Sequence, residues 1–316
     1  MLRTSVLLLA FTLGACNTAD APEREILDRA PEATSLLGEP LIPPPLPDSV
    51  RMRYEEQLRD AQADLSRNPE GADAAIWVGR RLAYLGRYGE AIDTFAQAIA
   101  RHPEDARLYR HRGHRYITVR KLDSAIVDLE RAAALVANRP DEIEPDGLPN
   151  ARNIPTSTLQ SNIWYHLGLA YYLRGEFARA REAYAQALTV STNPDMLVAT
   201  THWAYMTLRR AGNEAEAARV LMPIRREMDI IENDAYHRLL LLYKGELPVD
   251  SLLVPAGDSV DAVQDATLGY GVGNWHLYNG RAEEAMSVFS RVVRNTQWAA
   301  FGYIAAEAEL ARDRSR

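Results

Sequence analysis

The sequence predicts an all-α fold in which successive helix–turn–helix pairs stack into a solenoid. The first observation is a repeat: small residues such as Gly79 and Gly113 recur 34 residues apart, and periods of this length are typical of solenoid proteins. The second is that apolar residues recur at helical spacing within each repeat. A single pair cannot bury such a stripe alone, so neighbouring pairs must stack.

The repeats can be placed along the chain. Copies lie near residues 72–105, 106–135, 161–194, 198–231 and 266–297, with a degenerate copy at 232–262. An insertion at 136–158 contains four prolines and several acids, and we expect it to be a solvated loop on one face. The copy at 106–135 has Arg120 where a glycine ends the first helix of other copies.

The clearest copy resembles the tetratricopeptide repeat (TPR), through Trp164, Leu167, Gly168 and Tyr171, followed by Gly175, Phe177, Ala180 and Tyr184. The resemblance extends over roughly residues 51–316. It implies a TPR-type α-solenoid with an N-terminal capping helix near 51–66 and a C-terminal capping helix near 298–312. It also implies a non-catalytic scaffold that binds a protein or peptide in a concave groove, lined by the first helix of each pair.

Carrying the family's groove positions onto this chain predicts a lining of arginine, histidine and aromatic side chains. Arginine forks bind carboxylates, and Tyr and Trp supply flat apolar area, so this lining suits an extended peptide. The alternative is that a basic helix face has arisen by chance. The candidate partner-binding residues are Trp77, Arg80, Tyr84, Arg107, Arg110, His111, His114, Tyr165, His166, Tyr172, His202, Trp203, Arg209 and Arg210.

The N-terminus predicts export and lipid attachment. Residues 1–15 contain Arg3 and then a short apolar run, which is typical of a signal peptide and too short to span a bilayer. The tetrapeptide ending at Cys16 resembles the lipobox of bacterial lipoproteins, which implies lipidation of the Cys16 thiol and attachment to an envelope membrane, the outer one in a diderm host. Residues 16–50 are proline-rich, and we expect them to form a semi-rigid tether.

Composition and motifs argue against several other classes. A formal charge of −7 does not favour nucleic-acid binding, and one cysteine excludes an internal disulfide. The sequence lacks nucleotide-loop, zinc-protease and hydrolase motifs, so we expect no catalytic residues and no cofactor. Histidines at positions 111, 114, 166 and 202 could approach a metal arrangement, but peptide contact or solvation is the preferred interpretation.

Three hypotheses for function follow. The first is a lipid-anchored adaptor whose groove holds a protein partner at the bacterial cell envelope. The second is a self-assembling structural subunit, in which the aromatic helix at 298–312 stacks on another copy to give a homo-oligomer. The third is a ligand-binding lipoprotein that works beside an outer-membrane transporter or secretion system through its loops.

Overall fold

The computed structural model describes residues 30–252 and 262–315. The predicted signal peptide and Cys16 lie outside the described residues. The described part confirms the all-α prediction. Its helices are α1 Asp48–Arg67, α2 Ala72–Tyr84, α3 Tyr88–Arg101, α4 Ala106–Thr118, α5 Leu122–Val136, α6 Leu159–Arg174, α7 Phe177–Thr189, α8 Pro194–Arg210, α9 Glu214–Val220, α10 Asp234–Tyr243, α11 Ala262–Tyr278, α12 Ala282–Val292 and α13 Phe301–Arg314. Two short strands, β1 Ala33–Thr34 and β2 Pro40–Leu41, pair antiparallel.

Helices α2 to α9 form four consecutive helix–turn–helix pairs, and the pair α6–α7 illustrates why the sequence folds this way. α6 begins with a capping box, in which Thr158 and Ser161 each accept the other's backbone N–H. It ends at Gly175, whose φ of 81° is left-handed. Where α6 crosses α7, a Cβ on Gly168 would lie 2.8 Å from the ring of Tyr184. Close packing of the two helices therefore depends on glycine at position 168.

Arg120 adopts the backbone conformation that glycine supplies in other pairs, with a φ of 63°. A left-handed conformation costs a non-glycine residue about 1–2 kcal/mol. The buried guanidinium donates to both carboxylate oxygens of Glu307, at 3.1 and 2.8 Å, and to the carbonyl of Trp298 at 2.9 Å. These contacts join the α4–α5 turn to the C-terminal helix, which gives a physical reason for arginine at this position.

The stretch before α1 is folded against the solenoid. Residues 31–47 contain the β1–β2 hairpin, and the side chain of Leu41 is buried in the main core. The indole N–H of Trp298 donates to the carbonyl of Ile42 at 2.7 Å. The predicted tether is therefore wrong for residues 31–47. Extended proline-rich backbone suits a packed strand pair as well as a spacer, and the sequence does not distinguish the two.

The C-terminal helix α13 is more than an end cap. It packs on α11 and α12, as the expectation for a back cap requires, but it also contacts α6. Arg312 donates to the carbonyl of Leu173 at the end of α6, at 2.8 Å. At the other end of α13, the ring of Phe301 lies 5.3 Å from that of His114 in α4. Because α13 contacts the first helices of several pairs, it lies along the inner side that those helices form.

The degenerate repeat keeps only its first helix in regular form. α10 is followed by a single 3₁₀ turn at Val249–Ser251, and the next residue, Leu252, is buried against α10 and α11. Within the described ranges, none of the helices combines the length and the apolar character that a membrane crossing requires.

Candidate protein-binding face

The predicted groove residues lie on the first helices of the four pairs, α2, α4, α6 and α8, and we divide this inner face into two halves. The N-terminal half is built by α2 and α4 together with the start of α6. The C-terminal half is built by the rest of α6 with α8 and α11. Each half is covered by a different segment of the same chain, and the candidate residues therefore have two different environments.

The insertion covers the N-terminal half. We call residues 137–158 the arm. Its two ends are joined by backbone hydrogen bonds from Glu144 to Ser157, at 3.1 Å, and from Leu159 to Glu142, at 2.9 Å. Gly147 lies so close to α2 that a Cβ there would collide with the hydroxyl of Tyr84. The expectation of a solvated loop is thus wrong for the centre of the arm, because its backbone and one acid contact the basic face.

The carboxylate of Glu144 is the central contact of the arm. Arg110 donates to it at 2.9 Å, and both side chains are about nine-tenths buried, with 9% and 10% exposed. The amide of Asn162 donates to the other carboxylate oxygen at 3.2 Å. Arg80 and Arg81 donate to the arm's backbone carbonyls at Pro145 and Gly147, both at 2.8 Å. The face therefore holds an extended acidic strand through guanidinium contacts to one carboxylate and two carbonyls.

Three predicted histidines lie beside this contact. The rings of His114 and His166 are 4.3 Å apart between centroids, and His111 stacks on Phe95 at 5.7 Å. Burial, reinforced by the nearby Arg110 and Arg115 guanidiniums, holds the pKa of each of these histidines well below its usual range. They are neutral in the folded chain and add no positive charge to the face at neutral pH.

Other predicted residues of this half lie at its margin and remain partly exposed. Trp77 is covered by the guanidinium of Arg80, at 4.6 Å from the ring centroid. Arg107 pairs with Asp105 and Asp73. A cavity of about 270 Å³ opens between α2, α4 and the arm; its lining includes Ile76, Trp77, Arg80, Arg107, His111 and Glu144.

The C-terminal half is part of the hydrophobic core. Tyr172, Trp203 and Tyr270 are almost completely buried, and Trp203 packs on the two tyrosine rings at 5.3 and 5.7 Å. His202 is completely buried and stacks on Tyr236 at 4.6 Å. Burial lowers the pKa of His202 to about 3. The predicted groove residues Tyr172, His202 and Trp203 therefore face the interior of the chain and are not accessible to a partner in this conformation.

The remaining candidates of this half are fixed by intramolecular contacts. Arg210 forms a two-oxygen ion pair with Glu309 of α13. Arg209 lies over the ring of Tyr278 at 4.3 Å. Tyr165 shares a hydrogen bond of 3.2 Å with the hydroxyl of Tyr236. Arg210 thus binds a carboxylate as predicted, but that carboxylate belongs to the chain's own C-terminal helix.

The sequence analysis missed three residues that the structure places on the basic face or in its contacts: Arg81, Arg115 and Glu144. The available signal was charge complementarity, since the acidic insertion follows one helix after α4, which carries four arginines, at positions 107, 110, 112 and 115. Among the described residues there is no group of three or more His, Cys, Asp or Glu side chains arranged to hold a metal ion. The histidines instead contact one another, aromatic rings and arginine.

The comparisons with known proteins concern the repeated helix pairs. Residues 161–193 match the family model of the tetratricopeptide repeat. A search of curated proteins finds no significant match. The chain therefore carries a tetratricopeptide repeat at 161–193 within an all-α fold of TPR type, a fold consistent with a non-catalytic scaffold that binds proteins.

Several solved structures are similar to the chain at low identity. A tetratricopeptide repeat protein from Parabacteroides merdae ATCC 43184 is 15% identical, with a TM-score of 0.46, covering 83% of this chain and 99% of its own. YrrB, described as a TPR protein with an unusual peptide-binding site, is 15% identical over 79% of this chain and 97% of its own, with a TM-score of 0.42. The MamA protein is 18% identical, and the match covers 66% of this chain and 93% of its own, with a TM-score of 0.42.

Proposed function

We propose that this protein is a lipid-anchored, non-catalytic scaffold that binds an acidic, extended segment of a protein partner at the N-terminal half of its concave face. The observation that carries the proposal is the contact between Arg110 and Glu144. This half already holds an acidic strand in the way a peptide ligand would be held, by a carboxylate ion pair and by arginine donors to backbone carbonyls.

The partner replaces or extends the arm. The arm is joined to the solenoid at both ends and contacts the basic face mainly through Glu144, Pro145 and Gly147. Its apolar side chains at Ile143, Leu148 and Ile154 are 46–67% exposed, so they contribute little to holding it down. A partner segment with the same acidic character competes for the same arginines. Because the arm occupies these arginines, a partner segment must bind more tightly than the arm does. Further contacts, for example to Trp77 or Arg107, would supply the additional affinity.

The anchor belongs to the same proposal. Lipidation of Cys16 would place the solenoid at the bacterial envelope, and the lipobox Leu13-Gly14-Ala15-Cys16 supports this location. Several acyl chains hold a protein at a membrane essentially permanently. The test is to express the full chain and Cys16→Ser in a diderm bacterium and to follow membrane fractionation and the mass of the N-terminal peptide. A chain that stays soluble and unmodified with Cys16 intact contradicts the anchor.

Partner binding is tested by crosslinking the full chain in its host envelope and identifying captured proteins by mass spectrometry. The informative variant combines Arg80→Glu and Arg107→Glu, because both side chains are partly exposed and a charge reversal there leaves the core intact. We expect the amount of captured partner to fall at least tenfold in this variant. Arg110 is a poor choice for reversal, since a buried Glu beside Glu144 would destabilise the fold.

The matched control combines Arg131→Glu and Arg179→Glu, which make the same change in charge on the second helices of their pairs, away from the arm. Equal capture by wild type and both double variants would contradict a partner site on the basic face and would favour the loops. The self-assembly hypothesis relied on aromatic side chains near 298–312 for stacking on another copy. Two of them, Trp298 and Tyr303, are buried against the chain's own core, so they do not offer a surface for that contact.

A further inference from the structure

The part of the arm that contacts the basic face, residues 142–147, lies along a backbone edge that is fixed by α6. We call these residues the bound segment. The bound segment pairs antiparallel with Thr158, and the capping box holds Thr158 to the first turn of α6. If the bound segment leaves, this edge therefore stays in place. It then offers the carbonyl of Ser157 and the N–H of Leu159 to another extended strand.

One position of the bound segment requires a carboxylate. The side chain of Arg110 is 9% exposed, and Glu144 is the one carboxylate paired with it in the part of the chain that the structure describes. Removing that carboxylate would leave a buried charge without a partner, which is strongly destabilising. Asn162 donates to the other oxygen of the same carboxylate at 3.2 Å, so the group is held from two sides. A segment that replaces the arm must therefore supply a carboxylate at this position.

A second position, three residues further along the bound segment, requires glycine. A Cβ on Gly147 would lie 2.7 Å from a guanidinium nitrogen of Arg80 and from Cζ of Tyr84. Arg80 is flexible, whereas the ring of Tyr84 packs beside that of Tyr54, 6.0 Å away between centroids. The φ of Gly147 is not positive, so lack of space, and not backbone conformation, excludes other residues. Arg81 donates to the Gly147 carbonyl at 2.8 Å, which keeps the backbone this close to α2.

We infer that the basic face binds partner segments of the pattern Glu-x-x-Gly, in which Arg110 recognises the glutamate and Tyr84 imposes the glycine. The inference rests on the proposed function and deepens it, because it names the sequence that the partner presents. The carbonyls of the second and fourth residues accept from Arg80 and Arg81, as two carbonyls of the arm do. Because these two contacts are made to the backbone, they leave the side chains at the middle positions unrestricted.

The test measures the affinity of the purified full-length protein for a fluorescein-labelled peptide with the sequence of residues 141–150. In wild type the arm is tethered beside the face and competes at a high effective concentration, so we expect weak binding. Two variants open the face: Gly147→Val places a side chain against Tyr84, and Glu144→Gln removes the carboxylate of the arm. We expect each variant to bind the peptide at least tenfold more tightly than wild type, as measured by fluorescence anisotropy. Absence of saturable binding to both variants overturns the inference.

Changes in the peptide test the two positions separately. The ratio of two peptides' affinities for one protein variant reports on the peptides alone, because the arm competes equally with both. We expect Glu144→Gln or Gly147→Ala in the peptide to weaken binding at least tenfold. The control peptide carries Ile143→Ser, at a side chain that is 67% exposed in the arm, and should bind within about twofold of the parent. Binding of either the glutamine or the alanine peptide as tightly as the control overturns the pattern.

The role of Tyr84 is tested by compensation. Adding Tyr84→Ala to the protein variant Glu144→Gln enlarges the space beside position 147, so the alanine peptide should bind as tightly as the glycine peptide. A preference for glycine that persists without the tyrosine ring overturns this role. The peptide results are separate from partner capture in the envelope. If capture does not depend on Arg80 and Arg107, the proposed function fails while peptide binding stands; if all peptides bind alike, the pattern fails while capture stands.

Discussion

The two halves of the concave face use the same helix positions for opposite purposes. In the N-terminal half, inward positions of α2 and α4 carry arginines and histidines that hold a polar, mostly solvent-facing arm. In the C-terminal half, inward positions of α6, α8 and α11 carry Tyr172, Trp203 and Tyr270, which are buried under α13. The family pattern fixes which side chains point inward. What covers them decides whether they form a binding face or a core.

The difference also concerns charge. In the C-terminal half, Arg210 forms an enclosed ion pair with Glu309 of α13, and the buried pair Arg120–Glu307 joins the α4–α5 turn to the same helix. In the N-terminal half the cover is an insertion that contacts the solenoid mainly through polar groups, among them the ion pairs Glu144–Arg110 and Arg152–Asp229. The proposed function requires the first half to exchange its cover for a partner, which the second half could not do without local unfolding.

Removing the ion pair that ties α13 to the solenoid should have the largest effect. In Arg120→Ala the carboxylate of Glu307 stays buried without its partner, and breaking a buried pair in this way costs about 3–5 kcal/mol. Urea unfolding of the full-length protein measures the loss. The control Arg131→Ala removes an exposed ion pair with Glu104 and should leave the unfolding midpoint nearly unchanged. Equal midpoints for both variants would mean that α13 does not depend on Arg120.

A pair of tryptophans gives a direct comparison of the halves. Trp203 is 1% exposed, so Trp203→Ala leaves a cavity in the core and should cost about 3 kcal/mol or more. Trp77 is partly exposed at the margin of the other half, and Trp77→Ala should cost about 1 kcal/mol, chiefly the cation–π contact with Arg80. Denaturant unfolding measures both. Similar losses at the two positions would contradict the division into a core half and a binding half.

The histidines of the N-terminal half predict acid sensitivity. Their pKa values are lowered in the folded state, whereas an unfolded histidine titrates near pH 6.5. Below about pH 6.5 the unfolded chain therefore binds more protons, and the free energy of unfolding falls as pH decreases, by up to about 1.4 kcal/mol per pH unit for each histidine. Above about pH 6.5 these histidines do not contribute to the pH dependence of the free energy of unfolding.

The measurement is urea unfolding at pH 7.5 and at pH 5. His166→Gln removes one of the three groups, so the loss between the two pH values should be smaller by roughly one proton's contribution. Identical pH slopes in His166→Gln and wild type would show that the buried histidine ring at this position is protonated in the folded state or does not titrate differently on unfolding.

The smallest effect is expected for the outer side of the arm. Ile143 is 67% exposed, and Ile143→Ser should change the free energy of unfolding by less than about 0.5 kcal/mol. Thermal unfolding measures this change. A loss of more than about 1 kcal/mol would mean that the arm is held by apolar packing, and that it is not the exchangeable cover described above.

The sequence by itself determined the repeating helices and the inward positions. The period of 34 residues, the apolar spacing, and glycines such as Gly168 are local signals, because they report on the geometry of one helix pair and its neighbour. Carrying the family's groove positions onto these repeats then predicted Arg110, His111, Tyr165 and Trp203 for the inward side of the first helices. Such patterns predict structure well because the contacts that each one requires lie within about one repeat length of the chain.

Only the tertiary structure decided what occupies that face. The contacts of α13 with α4 and α6, of residues 31–47 with Trp298, and of Glu144 with Arg110 join segments far apart in sequence. No periodicity encodes such long-range pairing. Such pairing depends on how the stacked pairs are arranged and on where α13 and residues 31–47 pack against them. Whether a tryptophan or an arginine is buried depends on this packing.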